Sequence, residues 1–225
     1  IPASNMYFEG DYITFTDSGK GYEEKDEQGN VTAQYGIWSQ VGTTSNKNQA
    51  TDRPGADTIG GGYDADNLYG YDSAYTEMSM YSLGSAQCVN VNSSTFAQAE
   101  FTFYGTGFDI ISLTSNTTGT IIVDVYAVQE GKAIDLSKPY VSHIVDTYYG
   151  FAYQDADGDG EKEWVPVDTN DPNALYQIPV MKIGGLPYGR YKVIITAVYD
   201  EFFDHKQYLN KSYDFYMDAI RIWSK

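Results

Sequence analysis

The chain has 225 residues, 42% of them hydrophobic, which is enough for a packed core and argues against disorder. Its 31 acidic residues against 14 basic ones leave a formal charge of −17. That charge repels phosphate backbones, anionic membrane surfaces and polyanionic sugars, so nucleic acid is not expected as a partner. No apolar run is long enough to span a bilayer as a helix.

In chain order, the predicted elements are strands. Tyr12 to Thr16 alternates in polarity. Ala86 to Val91 does the same and carries Cys88, the single cysteine, as a small buried hydrophobe. Ala99 to Tyr104 puts Phe101 and Phe103 on one face. Thr120 to Tyr126 and Tyr140 to Val145 follow, the latter with His143 as a packed or edge residue. Tyr191, Val193, Ile195 and Ala197 share one face, with Ile194 and Val198 on the other, as in a central strand covered on both sides. Phe215 to Trp223 closes the chain, and Trp164 and Trp223 are expected in the core. Breakers lie at Gly105-Thr106-Gly107, Asn116 to Gly119, Gly184-Gly185 and Pro187-Tyr188-Gly189. Gly105 and Gly107 are expected to supply backbone angles for a tight corner, Pro187 to preset its turn and Gly189 to relieve the next one.

About ten to twelve short strands without a helical period predict an all-β fold, two packed antiparallel sheets in a single domain over residues 1–225. One region differs. Residues 42–81 are polar, glycine-rich and studded with tyrosine, and read as a long, ordered, early binding loop.

Three segments carry a family resemblance: Ala99 to Ser112 with its Gly-Thr-Gly turn, Gly185-Leu186-Pro187-Tyr188-Gly189-Arg190-Tyr191, and Tyr216-Met217-Asp218-Ala219-Ile220-Arg221-Ile222. Their order resembles the galactose-binding-like jelly-roll modules, which implies an antiparallel jelly-roll β-sandwich. Tyr213 to Asp218 also looks like modules of surface proteins from gut anaerobes, some of which are starch-adherence proteins. The resemblance implies a carbohydrate-binding module on a secreted or cell-surface bacterial protein, joined to other modules, with a neutral polysaccharide such as an α-glucan as ligand. The chain begins at Ile1 and shows no signal peptide, as a processed protein or excised fragment would, so export is expected from the module type alone. Asp218, between apolar neighbours, is expected to be a buried structural carboxylate satisfied by backbone donors.

The chain has 22 Tyr, 10 Phe and 3 Trp, most of which are expected to build the sheets. The rest are available to stack on a flat ligand. Candidate ligand-binding residues are Tyr35, Trp38, Arg53, Tyr63, Tyr69 and Tyr71 around the early loop, with Phe203, His205, Lys206, Gln207 and Tyr208 after Tyr199. Both segments mix rings with planar polar groups, as recognition of sugar hydroxyls requires. Trp38 balances a binding role against a core role. The jelly-roll likeness brings the two segments together.

Asp155-Ala156-Asp157-Gly158-Asp159-Gly160 matches the start of a calcium loop, with Asp155, Asp157 and Asp159 as ligands. Pro166 stands where the bidentate glutamate would be, so the alternative is an acidic hairpin tip. Two histidines, a lone strand cysteine and no nucleophile elbow argue for a protein without catalysis. The alternatives are a protein-binding adhesin module and a jelly-roll glycoside hydrolase or lyase built on a carboxylate pair.

Overall fold

The computed structural model describes residues 5–8, 13–17, 21–41, 81–82, 86–149, 151–154, 158–166, 175–199 and 212–223. These hold sixteen strands and no helix, hence no helix long and apolar enough to cross a membrane. All strand pairs are antiparallel. One sheet has the order β1 (Asn5–Phe8), β16 (Ala219–Trp223), β8 (Gly107–Thr114) and β13 (Leu175–Ile183). Beside it, a three-stranded sheet has the order β15 (Ser212–Met217), β6 (Ala86–Asn92) and β5 (Ser39–Val41). The facing sheet has the order β10 (Val141–Asp146), β9 (Thr120–Ala127), β14 (Gly189–Val198), β7 (Phe96–Gly105) and β2 (Thr14–Thr16). Two hairpins complete the set: β3 (Tyr22–Lys25) with β4 (Val31–Tyr35), and β11 (Phe151–Gln154) with β12 (Glu163–Pro166).

The chain forms the expected sandwich, and strand parity shows why. In β7, Ala97, Ala99, Phe101 and Phe103 are buried, while Phe96, Gln98, Glu100, Thr102 and Tyr104 face outward. In β14, Tyr191, Val193, Ile195 and Ala197 meet them in the core. Phe108, Ile110, Phe215 and Ile220 reach the same cluster from the opposite side of the sandwich. Burying each such side chain contributes about 1.5–3 kcal/mol. Every residue of β8 is buried, because its second face carries another cluster of Leu113, Tyr81, Cys88 and Tyr216, with Tyr176 packed on Tyr81. Burial, and then the charge of Asp214, push the Cys88 thiol up, and it packs as a small side chain in that cluster.

Several expectations hold. β14 is central, and Ile194 is buried on its outer face. His143 lies exposed on the edge strand β10. Asp218 interrupts β15 and β16, and its buried carboxylate accepts from the Ser82 backbone N–H at 2.7 Å and the Ser82 hydroxyl at 3.1 Å.

Others are corrected. The strand count exceeds twelve because β1, β3, β4 and β5, of three to five residues, are too short to show clear alternation. Trp223 is half-buried on the outer face, where its indole N–H donates to Asp109 at 3.0 Å and Lys182 lies over its ring. Asp109 itself is fully buried and paired with Arg221. Gly105 and Gly107 do not adopt left-handed angles. They are glycines because a Cβ would fall 2.2 Å from the Trp223 and Ile183 carbonyl oxygens respectively. In the following turn the left-handed residue is Gly185, at φ 76°, and not Gly189.

Candidate ligand site at one end of the sandwich

The short turn from β6 to β7 marks one end of the sandwich. Asn92 closes it, its side-chain oxygen accepting from the Ser94 N–H at 3.0 Å. At this end Val198 stands opposite Phe96 and Thr120, and Ser212 stands opposite Asn92. The segment between β14 and β15 therefore leaves and returns here.

Beneath those anchors lies the turn from Ser115 to Gly119, built almost wholly from hydrogen bonds between polar side chains and backbone. The Thr118 hydroxyl donates to the Thr147 carbonyl at 2.6 Å and accepts from the Ser115 N–H at 3.0 Å. The Thr147 hydroxyl donates to the Gly119 carbonyl at 2.6 Å. Asp214 joins through its backbone N–H, which donates to the Thr117 carbonyl at 2.8 Å. Its carboxylate accepts from the Asn90 amide at 2.6 Å. Gly119 cannot carry a side chain, because a Cβ would lie 2.5 Å from that of Tyr213. Ser115, Thr118 and Thr147 are buried, and the network satisfies them as buried polar groups require.

The electrostatics of this end favour neutral groups. Burial pushes the Asp214 carboxyl up, against the hydrogen bonds from Asn90 and Thr117 that lower it. The Tyr213 phenol is pushed up to about 12, first by burial and then by the charges of Tyr199, Tyr148 and Asp146. Tyr199 stacks on Tyr213 with ring centroids 5.5 Å apart. Hydroxyls and backbone groups thus bond to one another beneath this end, with Tyr213, Ser115, Thr118 and Thr147 buried. Among the described residues it brings no nucleophile beside a base.

Of the sequence candidates, Tyr35 and Trp38 are carried to this end. Gly36 N–H donates to the Asn90 carbonyl at 2.7 Å, which fixes the chain between them. The Trp38 indole N–H donates to the Gln98 carbonyl at 3.1 Å, and its ring packs on Phe15 at 4.8 Å and Phe215 at 6.1 Å. Those are core-edge contacts, and they leave the half-buried ring as an aromatic margin of the site. Arg53, Tyr63, Tyr69, Tyr71, Phe203, His205, Lys206, Gln207 and Tyr208 lie outside the described residues.

The early loop is anchored elsewhere. Val41 pairs with Ala86, and Ser82 is held by Asp218. Ala86 and Asn92 are opposite ends of the seven-residue β6, separated by about 20 Å of strand. The two segments expected to converge therefore leave the sandwich from opposite ends of one strand.

Asp155 and Asp157 also lie outside the described residues. Asp159 is exposed and accepts from the Glu161 N–H at 2.8 Å, between Gly158 at φ 79° and Gly160 at φ 90°. Among the described residues no three His, Cys, Asp or Glu side chains are grouped to hold a metal ion.

No protein-family profile and no curated protein matches the chain. Ten solved chains are similar in trace, among them the following two. One is the enzymatically active domain of bacteriophage CBA120 tailspike protein 4, with TM-score 0.35 and 9% identity, covering 95% of this chain and 19% of that one. The other is TmCBM61 in complex with β-1,4-galactotriose, with TM-score 0.26 and 13% identity, covering 63% of this chain and 72% of that one. The chain thus spans about a fifth of the tailspike chain, 19% of its length.

Several residues of this end escape a reading of the sequence. Asn90, Tyr148, Asp214 and the stacked pair of Tyr199 and Tyr213 are distant in sequence, and only strand pairing joins them. One signal was present: Ser115-Asn116-Thr117-Thr118-Gly119 is richer in side-chain hydrogen-bonding groups than a plain connecting turn needs.

Proposed function

We propose that the chain is a non-catalytic carbohydrate-binding module for a neutral polysaccharide, with an α-glucan as the first candidate, carried on a secreted or surface-exposed bacterial protein. One observation carries the reading. Val198 and Ser212, which flank the segment carrying Phe203, His205, Lys206, Gln207 and Tyr208, lie at one end of the sandwich beside the stacked pair of Tyr199 and Tyr213. A sugar needs that pairing of ring face and planar polar edge. In this proposal Tyr35 and Trp38 border the site. Lys206, Gln207 and His205 contact hydroxyls, while Arg53, Tyr63, Tyr69 and Tyr71 belong to a loop whose flanking anchors lie at the opposite end of β6. Calcium held by Asp155, Asp157 and Asp159 would stabilise the β11–β12 hairpin tip.

The test combines a glycan array with long incubation on each glycan that binds. The reading expects retention of neutral oligosaccharides without new reducing ends or unsaturated products. Turnover would make the chain a hydrolase or lyase. Retention of a cell-wall or host protein with no glycan would make it an adhesin. For the metal, chelation should lower Tm, since a native-state ligand stabilises. An unchanged Tm returns the tip to a plain acidic turn.

A further inference from the structure

The outward face of β7 and β14 carries a continuous strip that begins at the end just described. Phe96 and Val198 form its first rung, at the point where the segment after Tyr199 departs. The next rung is Gln98, whose amide donates to the Thr196 hydroxyl at 3.1 Å. Glu100 follows, paired with Lys192 at 2.8 Å. Thr102 and then Tyr104 with Arg190 complete the strip, the guanidinium 5.8 Å from the ring centre. Phe96 and Tyr104, at its two ends, are 47% and 61% exposed, and Tyr188 beside Arg190 is 58% exposed. Tyr104 lies eight residue steps along the strand from Phe96, a span of about 27 Å.

Three features set this strip apart. Large rings stand exposed only at its ends, where a structural role needs neither. Between them lie Gln98, Thr196 and Thr102, which both donate and accept, and the Glu100–Lys192 pair beside the buried Ile194. Its charges cancel, with Lys192 and Arg190 against Glu100 and the neighbouring Asp124, on a chain of net charge −17. A neutral, hydroxyl-rich, elongated ligand matches that surface. A basic peptide would gain nothing from it, and an apolar partner would bury the Glu100–Lys192 pair at a cost.

We propose that this strip is the continuation of the ligand site, so that the module grips the interior of a neutral polysaccharide chain running along β7 instead of its terminus. The inference rests on the carbohydrate reading above. Successive sugars lie over the strip, with Phe96 and Tyr104 as stacking platforms and Gln98, Glu100, Thr102 and Lys192 as hydroxyl partners.

The experiment is calorimetric titration with maltooligosaccharides and cello-oligosaccharides from disaccharide to heptasaccharide. In the parent protein, affinity for the bound series should climb with length through most of that range. In Tyr104→Ala the long oligosaccharides should lose about tenfold in affinity, while the shortest binding member is unaffected. Tyr104→Phe should restore the climb. Tyr104 and Phe96 are exposed, so both variants should keep the parent's Tm. If affinity is equal for short and long chains, or the climb survives Tyr104→Ala and Phe96→Ala together, the strip is not a sugar track although the module still binds sugar. If neither series binds and the array retains nothing, the carbohydrate reading itself has failed.

Discussion

The two ends of the sandwich are closed by different means. At the end marked by Asn92, polar side chains stitch turns together, with Thr118, Thr147 and Asn90 bridging backbone and carboxylate. At the other, Gly105 and Gly107 let β7 and β8 pass against Trp223 and Ile183 with no room for a side chain, and Asp109 is buried under Arg221 and Trp223. The first closure is a network of buried side-chain hydrogen bonds. The second is backbone packing around a paired charge. The two should therefore differ in how much a single substitution costs.

The comparison breaks if the glycine end tolerates bulk. Gly107→Ala should cost on the order of 4 kcal/mol or prevent folding, because a Cβ would lie 2.2 Å from a backbone carbonyl. Urea denaturation measures it, and a loss below about 1 kcal/mol would show that the strands can part. Next in size, Arg221→Met removes the ion-pair partner of the buried Asp109, leaving only the Trp223 indole bond, and should cost about 3 kcal/mol by the same assay.

The polar end should respond more mildly. Thr118→Val removes a donor to Thr147 and an acceptor for Ser115, both buried, and should cost about 2 kcal/mol. Asp214→Asn should act in the opposite direction. The folded carboxyl is raised, so its stabilising contribution is present below its unfolded value and lost as pH rises through the folded one. At pH 7 the amide should match or exceed the parent in Tm by a few degrees at most, with the advantage vanishing in acid. A large destabilisation at pH 7 would mean that the network needs the charge.

The sequence made the long strands legible because period-two alternation survives in β7, β9 and β14 over eight or ten residues. It hid β1, β3 and β5, of three or four residues, which are too short to alternate. The outward position of Trp223 was readable: Arg221 and Trp223 share a face opposite Ile220 and Ile222. The reason for Gly105 and Gly107 was not, since the carbonyls they approach belong to distant strands. Asn90, Tyr148, Asp214 and Tyr213 became one site only through strand register, which no local pattern encodes. Trp38 was the ambiguous candidate, and its contacts with Phe15, Phe215 and Gln98 show why: the ring is both packing and margin.

The most direct test is binding of residues 1–225 to a glycan array at low and at high salt. The account predicts retention of neutral oligosaccharides at equal strength in both, because an uncharged ligand releases no counterions. Retention of no glycan under either condition would contradict it.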